Sequence, residues 1–163
     1  MSRLDSAIRR LEAQRDCLGL AAGLVGDLAG NVLEVGLGNG RTFDHLRNLM
    51  PAREIFVFDR HIAAHPDCIP DDDHFLIGDF ADTIPAAFAR LGAATALAHC
   101  DTGSGDSAAT RAQAAWLGPA VNPLLALGAV VLSDQPLQVA GWVDVHIPET
   151  VAPGRYYIYR KES

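Results

Sequence analysis

The sequence predicts an α/β protein, a mostly parallel β-sheet with one strand reversed near the end of the chain. Three observations carry this. A short apolar run, Val32-Leu33-Glu34-Val35, breaks on glycines at 36, 38 and 40 into a helix-like stretch from Thr42 to Leu49. Strand-like and helix-like segments then alternate as far as Leu132. The last two strand-like runs, 138–147 and 155–161, are separated only by a turn region with Pro148, Pro153 and Gly154. That leaves no room for a crossover helix, so the two runs should pair as an antiparallel hairpin.

The elements follow in order. Residues 3–18 read as a helix, because Leu4, Ile8, Leu11 and Leu18 recur at three-, four- and seven-residue steps among Arg and Glu. The apolar segment from Leu20 to Leu28 has Gly19, Gly23 and Gly26 in or beside it, and its form stays open. Gly30-Asn31 is a turn signal ahead of the first strand. Residues 54–58 form the second strand candidate, followed by a polar connection with Pro66 and Pro70 and a short third candidate at 74–77. Asp82 or Thr83 can cap a helix carrying Ile84, Phe88 and Leu91 on one face and ended by Gly92. Residues 94–98 read as a fourth strand, 107–117 as an Ala-rich helix, and 129–132 as a fifth strand after Pro119 and Pro123 interrupt.

Length and composition bound the function. At 163 residues, 49% hydrophobic and 20% charged, the chain is expected to form one domain, with a helical segment over 1–28 and a core over 30–163. No apolar run approaches the ~20 residues of a membrane span. Charges appear early, without the apolar block of a signal peptide, so a cytoplasmic protein is expected. A net charge of −7 with no dense basic cluster argues against nucleic acid or an anionic membrane as the main partner. Cys17, Cys68 and Cys100 are widely spaced, and neither they nor the six histidines show a metal-binding pattern. Asp71-Asp72-Asp73 reads as a solvated loop, with His61, His65 and His74 solvated in connections or at strand ends.

The glycine loop narrows the ligand. A dinucleotide fingerprint is G-x-G-x-x-G, with its third glycine needed for close helix packing. Here Gly36, Gly38 and Gly40 alternate, Arg41 stands where that third glycine would be, and Glu34 precedes the first by two residues. This E-x-G-x-G-x-G arrangement resembles motif I of the class I S-adenosylmethionine-dependent methyltransferases. The resemblance implies that Gly36, Leu37, Gly38, Asn39 and Gly40, with Thr42, approach the methionine part of the cofactor. Glu34 would anchor the loop or the cofactor's amino group.

The likeness runs in order from about residue 30 to 160. Asp59, 23 residues past the first glycine, matches the family's ribose-binding acid, with Arg60 beside it. Gly78-Asp79-Phe80 resembles the adenine site, with Asp79 accepting the exocyclic amine and Asp82 left as the cap, or the reverse. His99-Cys100-Asp101 resembles the strand end that faces the methyl group and the acceptor. The family's fold is Rossmann-like: a mostly parallel seven-stranded sheet, helices on both faces, and a C-terminal antiparallel hairpin.

Chemistry is expected at that fourth strand end. Methyl transfer needs alignment above all, and a base only when the nucleophile carries a proton. Asp101 and His99 are the catalytic candidates, with Asp134 and, further off, His146 as other possible bases. Some catechol-type relatives hold a divalent ion with carboxylates and an amide near positions equivalent to Asp101, Asp134 and Gln135. This chain lacks the second acid in Asp101-Thr102-Gly103 and has Gln135 for an asparagine, so no metal is assigned. Trp116 and Trp142 read as core or interface aromatics. Alternation sets Tyr157 and Tyr159 on one face of the last strand, and Tyr156 with Ile158 on the other.

The expected function is methyl transfer from S-adenosyl-L-methionine to a small acceptor, since few residues remain for a substrate domain. A homo-oligomer is expected, with the N-terminal helix folded over the cofactor edge. An NAD(P)-dependent oxidoreductase and a non-catalytic S-adenosylmethionine-binding protein are the rival readings.

Overall fold

Alternate residues of the central strands point to opposite sides, and each side is covered by helices. The computed structural model describes residues 2–163. Its strands are β1 (Asn31–Val35), β2 (Ile55–Asp59), β3 (Phe75–Ile77), β4 (Thr95–Cys100), β5 (Leu125–Ser133), β6 (Trp142–Asp144) and β7 (Tyr157–Lys161). They form one sheet in the order β3-β2-β1-β4-β5-β7-β6. β1 to β5 run parallel, and β7 lies antiparallel between β5 and β6. Helices α1 (Arg3–Leu24) and α2 (Arg41–Leu49) cover one face, while α3 (Phe80–Leu91) and α4 (Ser107–Val121) cover the other. This is the Rossmann-like sheet with a terminal hairpin that the sequence predicts.

The strand order places a switch point between β1 and β4. From β1 the chain moves outward to β2 and β3, then returns to β4 and continues to β5 on the far side. In open α/β sheets ligands bind in the crevice outside the carboxyl ends of strands at such a point. Gly36 and Asp101 stand at those two ends.

Three elements differ from expectation. α1 continues through Gly19 and Gly23 to Leu24 and buries Ala13, Gln14, Cys17, Leu18 and Ala21. Two helical glycines cost roughly 1 kcal/mol each; packing of the second half of α1 on the sheet offsets this. Of the four apolar residues that mark the helix in the sequence, Leu18 is buried, whereas Leu4 is 68% exposed and Ile8 and Leu11 are also open. α3 starts at Phe80, ahead of Asp82 and Thr83, with Asp79 as its cap, the second of the two arrangements open for Asp79 and Asp82. α4 runs past Pro119 to Val121 because Leu117, Gly118 and Val121 continue its buried face. An interior proline costs about 3 kcal/mol, comparable to burying one or two such apolar side chains. Among the described residues no helix is long and apolar enough to cross a membrane.

Candidate functional site

The loop after β1 is shaped by two glycines for different reasons. A Cβ on Gly36 (φ 95°) would run into the backbone carbonyl of Asp101, so only glycine lets the ends of β1 and β4 approach this closely. Gly38 (φ 52°) also needs glycine for its backbone, yet nothing lies within 4 Å of where its Cβ would be. That space opens into a cleft of about 170 Å³ lined by Gly36, Leu37, Gly38, Asn39, Arg41, Thr42 and Asp101, with Arg10, Leu11 and Gln14 of α1 across from them. Gly40 caps α2 with left-handed backbone. The backbone N–H groups of Leu37 (2.8 Å) and Gly38 (3.1 Å) donate to one carboxylate oxygen of Asp59, and the other accepts from His61 N–H at 3.3 Å. The acid that ends β2 therefore ties the glycine loop to the sheet.

A second cavity, about 530 Å³, adjoins the cleft and shares Arg10, Gln14, Asp101 and Gly103 with it. Asp134 and Gln135 line it from the end of β5, and Tyr156 from just before β7. Asp101 accepts a hydrogen bond from the Gln14 amide. Asp134 accepts from Thr102 N–H (3.3 Å), Gly103 N–H (3.0 Å) and the Gln135 amide (3.2 Å). Burial, and then the neighbouring Asp101 carboxylate, raises the Asp134 pKa above the ordinary carboxylate range. Among the described residues no three His, Cys, Asp or Glu side chains converge on a common point.

Behind this cavity runs a buried polar row. The parallel register sets Glu34 directly beside His99, and both are fully buried. His99 Nδ1–H donates to Glu34 at 2.6 Å, and its Nε2 lies 2.7 Å from the Tyr156 hydroxyl. The other Glu34 oxygen accepts from the Thr42 hydroxyl at the start of α2. Burial opposes charge on His99, but the carboxylates of Glu34, Asp101 and Asp134 together outweigh it and raise the pKa. Burial, reinforced by Asp101 and Glu34, holds the Tyr156 pKa well up, so it stays a phenol. The row thus joins the glycine-loop helix to the wall of the larger cavity.

Two expectations at β4 are corrected here. His99 does not face an acceptor: it lines neither space, both ring nitrogens are engaged, and it reaches the cavity only through Tyr156. Cys100 is buried in the apolar packing under α3 and α4, with its thiol pKa pushed up by burial, while burial takes Cys17 to about 11. Neither thiol is placed to react. Asp101 does reach both spaces.

At the ends of β2 and β3 the expected residues pair with one another. One Asp79 oxygen accepts from Ala81 N–H (3.0 Å) as the cap of α3, and the other takes Arg60 at 2.8 Å. Gly78 N–H donates to the Asp59 carbonyl at 3.0 Å, and Phe80 packs into the apolar cluster as the first residue of α3. His74 is held between Asp71 (2.7 Å) and Glu54 (3.2 Å) rather than simply solvated. Trp142 packs on the α3/α4 side and donates to the Asn122 side chain, as a structural aromatic does. A further cleft of about 500 Å³, between 43–55 and 69–74, lies by the amino end of β2, away from the strand ends where such sheets bind ligands.

Gln14 and Tyr156 are the two side chains the sequence did not point to. Glu34 and His99 each precede a strand-end residue by two, which is the parity signal for their pairing. No comparable signal marks Gln14 or Tyr156.

The family model described as S-adenosyl-L-methionine methyltransferase matches residues 1–161. The crystal structure of an S-adenosyl-L-methionine methyl transferase from Silicibacter pomeroyi DSS-3 is similar over 99% of this chain and 99% of its own, with 38% identity and a TM-score of 0.94. A 1,6-didemethyltoxoflavin-N1-methyltransferase from Burkholderia thailandensis, solved with 1,6-didemethyltoxoflavin and S-adenosylhomocysteine, is 13% identical. It covers 93% of this chain and 79% of its own at a TM-score of 0.59, a likeness of fold. No curated protein matches the sequence.

Proposed function

We propose that this chain, which belongs to the S-adenosyl-L-methionine methyltransferase family, methylates a small acceptor seated in the larger cavity beside the glycine loop. The observation that carries this reading is that the loop cleft and the larger cavity meet at Asp101. A cofactor on the loop and an acceptor in the cavity would face each other across that residue. The residues fit such a cofactor: Gly38 leaves open space over exposed backbone, and Asp59 presents a carboxylate beside it.

S-adenosylmethionine supplies an electrophilic methyl on a sulfonium, whose S–C bond breaks onto sulfur as the acceptor's lone pair takes the carbon. The chain's own task is alignment and proton handling. Gln14 holds Asp101 in one orientation from α1, which closes over the junction. Asp101 orients the nucleophile and accepts its proton; Asp134, with its raised pKa, shares that load. Tyr156, fixed by His99 and Glu34, positions the acceptor from the other side. Asp59 takes the ribose, and Asp79 takes the adenine when Arg60 releases it. The chain acts as one domain, 30–163 carrying the cofactor and 1–28 closing it. Asp59 would suit an oxidoreductase as well, but Arg41 occupies the position of the third dinucleotide glycine and disfavours that reading.

Calorimetry tests the reading. S-adenosylhomocysteine should bind and NAD should not, and Asp59→Ala should weaken binding about ten-fold or more by removing both the loop tie and the ribose acceptor. Asp101→Asn should keep S-adenosylhomocysteine affinity yet lose most transfer of labelled methyl into a metabolite extract. Failure of the wild type to bind S-adenosylhomocysteine sinks the proposal. Full transfer by Asp101→Asn removes Asp101 from the mechanism.

A further inference from the structure

The charges around the larger cavity are unevenly placed. The chain as a whole carries −7, yet three arginines from distant parts of the sequence line this one space: Arg10 on α1, Arg111 on α4, and Arg155 just before β7. None of their guanidinium groups has an ion pair or hydrogen bond among the described residues. Elsewhere Arg15, Arg47 and Arg60 are ion-paired, Arg53 donates to the carbonyls of Val25 and Gly30, and Arg90 stacks over Phe56. Of the seven arginines with no such partner, Arg10, Arg41, Arg111 and Arg155 line the cavity or the loop cleft, leaving Arg3, Arg9 and Arg160 outside.

The cavity's own carboxylates do not explain the arginines. Asp101 and Asp134 lie in the same space but take only neutral donors, from Gln14, Gln135 and the backbone of 102–103. Neither lies within ion-pair reach of an arginine. The three arginines are exposed, whereas Asp101 and Asp134 are half-buried and Tyr156 is buried. The space is therefore polarised, with cations at its open side and carboxylates and a phenol at its closed side. Ser107, one turn before Arg111 on the same face of α4, adds a hydroxyl to the cationic side.

We infer that the acceptor carries an anionic group, a carboxylate or a phosphate, held by Arg111 and Arg155 with Arg10, while its methyl-accepting atom lies at Asp101 and Tyr156. This rests on the function proposed above and adds the acceptor's chemical class. An anion turned inward would meet Asp101 and Asp134, so the field admits one orientation. Guanidinium forks match planar carboxylate and phosphate oxygens in bidentate geometry. A space of about 530 Å³ suits a small acid rather than a polymer.

The test uses ¹⁵N-labelled protein saturated with S-adenosylhomocysteine, titrated separately with inorganic phosphate and with benzoate at constant ionic strength. The arginine Nε–H signals are followed. Saturable shifts of the Arg111 and Arg155 signals are expected, and sodium chloride should produce none; the tighter anion identifies carboxylate or phosphate. In Arg111→Gln/Arg155→Gln the anion dissociation constant should rise about ten-fold or more, the loss expected for one charge-assisted hydrogen bond. Arg3→Gln, outside the cavity, should leave it unchanged. Absence of saturable shifts, or an unaltered constant in the double variant, overturns the inference. S-adenosylhomocysteine affinity is measured on the same samples. Its loss in the wild type counts against methyl transfer itself, whereas its retention without anion binding counts against the anionic acceptor alone.

Discussion

The two faces of the sheet are made from alternate residues of the same strands, yet they are built of different material. β1 sends Leu33 and Val35 under α3 and α4, into a cluster with Phe56, Phe58, Ala98 and Val131 that buries no charged side chain. Its other side chains, Val32 and Glu34, lie under α1 and α2, where a carboxylate, an imidazole and a phenol are buried in a row. One face contributes stability alone, whereas the other gives up part of it to hold a polar wall behind the cavity. Neighbouring residues of a single strand can therefore serve separate ends, because a strand alternates its side chains.

The largest effects should separate the faces by how substitutions combine. Phe58→Ala on the apolar face should cost about 3–5 kcal/mol in chemical denaturation. Glu34→Leu and His99→Leu should each cost a similar amount, because each leaves a fully buried partner uncompensated. Glu34→Leu/His99→Leu together should recover most of that loss, since the lone charge is gone. A double variant whose cost equals the sum of the singles would make the two faces energetically alike.

A smaller change sharpens the contrast. Tyr156→Phe removes one hydroxyl from the row and should cost roughly 1–3 kcal/mol. It should slow methyl transfer while leaving S-adenosylhomocysteine affinity intact. Because burial, with Asp101 and Glu34, keeps Tyr156 protonated, the rate loss should be constant between about pH 6 and 9. A loss that varies with pH across that range would mean that Tyr156, or the His99 ring bonded to it, titrates during turnover.

The smallest effect lies outside both buried layers, at His74. Its hydrogen bond to Asp71 is the largest influence and raises its pKa against desolvation, with Glu54 assisting. A raised histidine pKa stabilises the fold below the unfolded value near 6.5, and that contribution fades as pH rises through the folded pKa. His74→Gln should therefore cost stability at about pH 5 and almost nothing at about pH 8.5. The side chain is 26% exposed and its partners are more so, which limits the effect to about 1 kcal/mol or less. An equal cost at both pH values would assign the residue to packing against the Phe56 ring, whose centroid lies 5.0 Å from that of His74.

The fold was legible wherever local chemistry decides it. Glycines at 36, 38 and 40 mark the end of β1, and Pro148, Pro153 and Gly154 leave no room for a helix before β7. The buried side of α1 was only partly legible, because apart from Leu18 its contacts are small or polar residues, Ala13, Gln14, Cys17 and Ala21, while the conspicuous Leu4, Ile8 and Leu11 stay outside. Asp79 carries two jobs in one side chain, cap and ion pair, which no pattern of spacing separates. Within the candidate site, Asp101 and the loop could be read locally. Gln14 and Tyr156 could not, since their places depend on how α1 docks and on the register of β7 against β5.

Glu34 and His99 also bear on how the chain reaches this arrangement. A one-residue slip between β1 and β4 would turn one of the two side chains to the opposite face. A slip of two would set Glu34 beside Leu97, with no partner, or beside Asp101, with a like charge. Either error leaves an uncompensated buried charge and a penalty of several kcal/mol. The pair thus works as a key that only one alignment accepts, set in the same side chains that back the wall of the larger cavity.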